Sequence, residues 1–229
     1  MKDLKDYREK ELTLFIIANT LLFLVVHQFI KVDASELLNA TEVLSKIFTS
    51  VILSVTAFGF IIVIECLFTS GTKEKLLYLF GFFGLLNFPG CTIFTKIRNK
   101  NNDNRFSYQS LIAKYPTLYE KLPEDKKERL RYENEKWYAI YSQNRDISMI
   151  HNSQRDWLLC RDIYVTTLVI IVTYVILLLM SFIEFYCQYL LFLVATAIIT
   201  NFGANRKAVR FAYNVIAYDV NRLPVKDSK

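Results

Sequence analysis

Residues 76–94 read LLYLFGFFGLLNFPGCTIF, and whether this run crosses a membrane decides the topology of everything around it. At about 1.5 Å per residue, a helix of that length would just cross a hydrocarbon core roughly 30 Å thick. The run also carries three glycines, Gly81, Gly84 and Gly90, the last of them in a Pro-Gly pair. Its apolar part, 76–88, is 13 residues, a length typical of re-entrant or interfacial segments. Pro89 removes a backbone donor and pushes Phe88 out of the α region, whereas Gly81 and Gly84 let another backbone approach closely. Irregular backbone at membrane depth survives only where protein or a water-filled cavity satisfies its polar groups. The run therefore reads as a short, closely packed, non-crossing helix that ends at the Asn-Phe-Pro-Gly break. The alternative is a fifth spanning helix kinked at Pro89.

Outward from that stretch, the chain of 229 residues is 53% hydrophobic and 15% aromatic, more apolar than a soluble domain, and the excess is concentrated. Apolar runs of span length lie at 12–30, 47–68, 164–182 and 185–202, separated by strongly polar sequence. A cleaved signal peptide does not account for the first run. The preceding MKDLKDYREKE mixes both charge signs, the apolar core is too long, and no small-residue cleavage site follows. The four cysteines, Cys66, Cys91, Cys160 and Cys187, sit in or beside apolar runs without paired spacing, and only His27 and His151 stand beside them as nitrogen ligands. Buried thiols are expected there, with no metal and no cofactor.

Orientation follows from charge, because Lys and Arg near spans stay cytoplasmic. The block 96–162 holds 14 basic and 10 acidic residues, and 203–229 holds 6 basic and 2 acidic, so both belong inside. With 76–94 not crossing, both termini are cytoplasmic and only Lys31 and Lys46 of the 28 bases fall outside. A fifth span would instead put the four bases of the amino terminus outside. The expected fold is all-α: a polytopic membrane protein with four transmembrane helices, a short re-entrant or interfacial helix and a helical cytoplasmic domain. Its regions are an N-terminal membrane region 1–95, a cytoplasmic insert 96–162, a membrane hairpin 163–203 and a cytoplasmic tail 204–229.

Within the insert, 123–144 opens with Pro, Glu and Asp and repeats Leu130, Trp137, Ile140 and Tyr141 at helical spacing. A second helix starting near Asp146 meets no Pro or Gly before the 164–182 span, which predicts one long rod. The tail likewise continues the last span, with Arg206, Arg210 and Asn214 on one face and Val209, Ala212, Val215 and Ile216 on another.

Catalytic signatures are missing from the sequence: there is no phosphate-cradling glycine loop, GxSxG, HExxH, CxxC pair or EF-hand loop, so an enzyme is not expected. Asn19, His27 and Glu65 are the intramembrane polar candidates: His27 and Glu65 because a charge at the centre of a spanning helix costs about 2.5–3.5 kcal/mol, and Asn19 because it shares a face with His27. As pore-lining groups they compete with a plainer role in helix packing and, for Glu65, at the interface. Gly81, Gly84, Pro89 and Gly90, beside Glu65, are gating candidates. Tyrosines and tryptophan interleaved with bases make Arg129, Arg131, Trp137 and Tyr141, together with Arg206 and Arg210, candidates for a nucleotide or oligonucleotide. An aromatic core at helical spacing is the competing account. Arg145-Asp146, Arg155-Asp156 and Arg161-Asp162 read as ion pairs between helices or subunits.

Two spans, a basic helical insert (96–162), two further spans and a basic helical tail (205–221) form a layout that resembles the small four-span, pore-forming effectors of bacterial anti-phage defence systems. These include the ones controlled by nucleotide or oligonucleotide signals, such as Hailong and the cyclic-oligonucleotide systems. The resemblance implies a bacterial inner-membrane oligomer whose opening depolarises the cell, controlled by a cytosolic ligand or protein partner. Four spans are too few to enclose an aqueous path, so conduction requires a closed ring in the lipid bilayer, with a homotetramer favoured. The competing class is a non-conducting membrane subunit that recruits a cytosolic protein through 96–162.

Overall fold

The computed structural model describes residues 4–26, 44–45, 48, 59, 63–64, 67–79, 87–100 and 103–222. Among them the regular elements are seven α-helices and one 3-10 turn, with no strand. The helices are α1 (Leu4–Val26), α2 (Ser70–Tyr78), α3 (Ile93–Asn99), α4 (Tyr108–Lys114), α5 (Lys126–Asn144), α6 (Ser148–Leu179) and α7 (Cys187–Asn221), and the 3-10 turn is Pro89–Cys91.

Two of these, α6 and α7, are long and apolar enough to cross a membrane. Their 32 and 35 residues correspond to about 48 and 52 Å of helix. Each joins an expected span to an expected polar helix without interruption, as the absence of an internal proline allows. The expected span 12–30 is described only as far as Val26, within α1, and most of 47–68 lies outside the described residues, as do His27, Glu65, Gly81 and Gly84.

The chain divides into two compact units, 1–77 with 158–203 and 78–157 with 204–229. Residues 87–94 belong with the second unit, because Phe88 packs on Trp137 and Trp157 there. The quoted stretch is not a single described helix either. α2 begins earlier, at Ser70, and beyond the Asn87-Phe88 break the chain makes a 3-10 turn and re-enters helix at Ile93.

In the first unit, Leu12, Ile16 and Leu24 of α1 are buried at helical spacing, with Val169, Ile170 and Tyr174 of α6 and Tyr189 and Leu193 of α7. The opposite faces are also apolar but exposed: Leu14, Leu21 and Val25 on α1, Leu179 (81% exposed) on α6 and Ile199 (69%) on α7. A helix that is hydrophobic all round belongs in an apolar surrounding. Several hydroxyls within these segments turn back on their own helix, Thr167 to Ile163 O, Thr196 to Phe192 O and Thr200 to Thr196 O. At the end of α6, Ser181 takes the left-handed conformation (φ 57°), and the amides of Ser181 and Phe182 donate to Leu178 O and Leu177 O. This is a Schellman cap with serine where glycine is usual. Tyr174 Oη accepts from the Tyr186 amide at 3.0 Å and ties the α6–α7 turn.

The second unit is built around α7, whose Ala204, Ala208 and Ala212 are fully buried and let neighbouring side chains approach closely. Trp137, Phe211 and Trp157 fill its centre, with Ile93, Phe94 and Ile97 from α3 also buried. Asp125 caps α5 by accepting from the amides of Lys127 and Glu128, as the Pro-Glu-Asp start predicts. On α7, Ala212, Val215 and Ile216 form the buried face as expected. Asn214 departs from expectation: it is buried, because its side chain receives Arg105. The thiols differ as well. Cys187 is exposed on the first turn of α7, and Cys91 and Cys160 are half-buried.

Candidate functional site

Of the intramembrane candidates, Asn19 is the one described. It is buried on α1, and its Nδ2 donates to Phe15 O at 2.9 Å in the helix's own backbone. Its Oδ1 is buried with no hydrogen-bond partner among the described residues, and the same holds for Thr166 Oγ1 on α6. Asn19 and Thr20 from α1, Ile170, Thr173, Tyr174 and Leu177 from α6, and Tyr189 from α7 line a cavity of about 80 Å³ within the first unit, with Phe23 at its side. Its walls are almost wholly apolar, and the Asn19 oxygen lies buried beside it. Tyr174 and Tyr189 meet edge to face across it, at 5.2 Å between ring centroids.

Also in the first unit, charge is concentrated where α2 meets α6. Arg161 donates from Nε and Nη2 to Asp162 Oδ1 (3.0 and 2.9 Å) and from Nη1 to Ser70 Oγ (2.9 Å). Glu74 Oε1 lies 3.7 Å from Arg161, and Lys73 Nζ lies 3.7 Å from Asp162. The side chains of Arg161 and Asp162 are almost fully buried. Burial pushes the Glu74 carboxyl up, against the opposing pull of Arg161. Arg161 and Asp162 thus pair with each other within α6, and each also reaches α2, Arg161 to Ser70 and Glu74 and Asp162 to Lys73. Removing one member would strand a buried charge, at a cost of about 3–5 kcal/mol. Arg155-Asp156 also reaches another helix through Lys207, whereas Arg145-Asp146 is a loose surface pair at 4.0 Å.

The aromatic and basic candidates of the second unit do not share one surface. Trp137 is buried, its Nε1 donates to Ala212 O at 3.2 Å, and it stacks on Tyr141 with interplanar angle 1°. Tyr141 in turn donates to Gln154 Oε1 at 2.9 Å. Both rings are thus part of the core around Phe211, and the helical spacing that exposed platforms share with core aromatics does not distinguish the two. Arg131 is exposed and paired with Glu135 one turn on, while Arg129 lies near Glu133. Arg206 and Arg210 are exposed on α7. Pro89 and Gly90 are buried, and Gly90 sits so close to Trp137 that a Cβ there would lie 2.9 Å from the indole and 2.7 Å from the Phe88 ring.

Glu133 is a site residue that sequence reasoning missed. From the middle of α5 its carboxylate accepts from the amides of Phe94 (2.8 Å) and Thr95 (3.1 Å) and from the Thr95 hydroxyl, so it caps α3 from across the unit. Burial pushes its carboxyl above the ordinary 4.5, against the hydrogen bonds of Thr95 and Phe94 and the charge of Arg129. A single glutamate in a charged helix carries no sign of this role. Asp219 was likewise unmarked: it accepts from Tyr115 Oη (2.6 Å) and Asn144 Nδ2 (3.1 Å) and pairs with Lys114 (3.0 Å), and the tyrosine is pushed up by burial and by that carboxylate.

Among the described residues no group of His, Cys, Asp and Glu is placed to hold a metal ion. Comparison with family models, with curated proteins and with solved structures finds no match to this chain, so its functional reading rests on its own residues.

Proposed function

We propose that this chain is a four-span protein of the bacterial inner membrane, with spans 12–30, 47–68, 164–182 and 185–202 and both termini in the cytoplasm. In this reading it assembles into a homo-oligomer, with a tetramer favoured, and conducts ions under the control of a cytosolic ligand or partner protein. It then acts by depolarising the cell, as the defence effectors it resembles in layout do. The observation that carries the reading is the inversion of the first unit. Large aliphatic side chains face outward there, while Asn19, Thr20, Thr166 and Thr167 are buried, Asn19 at a cavity with its Oδ1 unpartnered among the described residues. An unsatisfied polar group in hydrocarbon costs several kcal/mol, so water or a neighbouring polar group at that depth is the economical complement. The exposed apolar faces supply the area that lipid and neighbouring copies cover.

Planar-bilayer recording of the purified full chain tests this. Discrete conductance steps are expected, and Asn19→Leu, which removes the carboxamide and keeps the volume, should reduce them at least tenfold. A protein that inserts yet never conducts overturns the reading in favour of a non-conducting membrane subunit.

A further inference from the structure

In the second unit, Asn152, Ser153 and Asp156 recur at helical spacing on α6, and Lys207, Arg210 and Asn214 do so on α7, and these faces line an open pocket of about 230 Å³. The state of each polar group decides what the pocket accepts. Asp156 is committed: Oδ2 accepts from Lys207 Nζ at 2.8 Å and Oδ1 from Arg155 Nη2 at 3.0 Å. Burial raises its carboxyl, but the two cations outweigh burial and hold it below the ordinary carboxylate value, so it stays ionised and neutralised. Ser153 donates to Ile150 O at 2.9 Å. Asn214, 3% exposed, accepts from Arg105 Nη1 at 2.7 Å through Oδ1, and that bond fixes the amide with its NH2 as the uncommitted end. Lys207 retains two N–H groups beyond the one on Asp156, and the exposed Arg210 guanidinium has no partner among the described residues. The pocket's open groups are therefore an ammonium, a guanidinium, the oriented Asn214 amide and the exposed Asn152 carboxamide, so donors predominate, with its one carboxylate already neutralised.

We propose that this pocket binds a phosphate-bearing anion. A point-charge ammonium beside a planar guanidinium fork is the pairing that phosphate oxygens take. The volume is below the roughly 300–1,000 Å³ that encloses a drug-sized ligand, so the pocket grips a phosphate group and not a whole oligonucleotide. A soluble phosphate compound and the phosphodiester headgroup of an anionic lipid present the same chemistry. The inference deepens the proposed ligand control; it rests on that reading for the consequence of binding, not for binding itself.

The test uses the full chain in phosphatidylcholine nanodiscs titrated with pyrophosphate by calorimetry, and in parallel nanodiscs containing phosphatidylglycerol, read as the unfolding midpoint. Saturable pyrophosphate binding is expected, weakened at least tenfold by Arg210→Gln and by Asn214→Asp, and unchanged by Arg131→Gln on α5. Asn214→Asp keeps the acceptor for Arg105 and places a carboxylate in the pocket; if it fails to fold, Arg210→Gln, a change at an exposed side chain, decides alone. A midpoint rise with phosphatidylglycerol only, lost in Arg210→Gln, supports the site and assigns the headgroup. Binding of neither probe, or equal binding by wild type and Arg210→Gln, overturns it. Binding without bilayer conductance sinks the channel reading and leaves the site; conductance without binding does the reverse.

Discussion

Gly90 is held by space. Any Cβ there meets two aromatic rings, Phe88 and Trp137, that are themselves packed on each other at 4.8 Å, so neither ring can move without disturbing the other. Gly90→Ala should destabilise the protein by about 1–3 kcal/mol as an overpacking change. In a chain of this size that lowers the thermal midpoint by about 2–4 °C per kcal/mol, and an unchanged midpoint would refute the packing account. Glu133 gives a pH signature. Its folded value is raised, so the folded state takes up a proton before the unfolded state does. Wild type should then gain stability relative to Glu133→Gln as pH falls from neutrality through the raised value, with the gain complete below about 4.5. Denaturant midpoints of both proteins between pH 7 and 4 measure it, and parallel curves would show that burial does not shift the group. The Pro-Gly break was legible in the sequence, whereas its partner Trp137, 47 positions on, was not. Contact across such a separation is set by packing, which no local pattern encodes.

At the scale of elements, local chemistry was the most legible. Asp125 starts α5 where its Pro-Glu-Asp signal predicts, and α6 and α7 each run unbroken because no proline interrupts them. The end of α6 was less so, since serine carries no turn signal as strong as glycine's. Ser181 nevertheless adopts φ 57°, a conformation that costs an L-residue about 1 kcal/mol and costs glycine almost nothing. Ser181→Gly should therefore stabilise the α6–α7 turn by about 1 kcal/mol, read as a higher unfolding midpoint in detergent; a drop would mean that the serine hydroxyl contributes more than the backbone strain costs. The polar pocket between α6 and α7 was half legible. Arg210 and Asn214 were marked on one helical face and Arg155-Asp156 as an ion pair, but Lys207 was not, and Asn214 is oriented only when Arg105 is beside it.

On the scale of the whole molecule, the all-α class and the two long apolar helices were readable from composition and periodicity, because hydropathy integrates over a span and tolerates local error. The division into units was not, because each draws on segments far apart in sequence. The second unit takes 78–157 and 204–229, and its ties cross that gap: Trp137 to Ala212, Lys114 and Tyr115 to Asp219, Arg105 to Asn214. This arrangement fixes an order of events during synthesis. The residues between the two parts, 158–203, include the most apolar hairpin of the chain, and all of them leave the ribosome before Ala212 and Asp219 exist. Most of the second unit, 78–157, is therefore made before the α7 residues Phe211 and Ala212 that Trp137 and Trp157 meet. The unit can close only once the second half of α7 has been made.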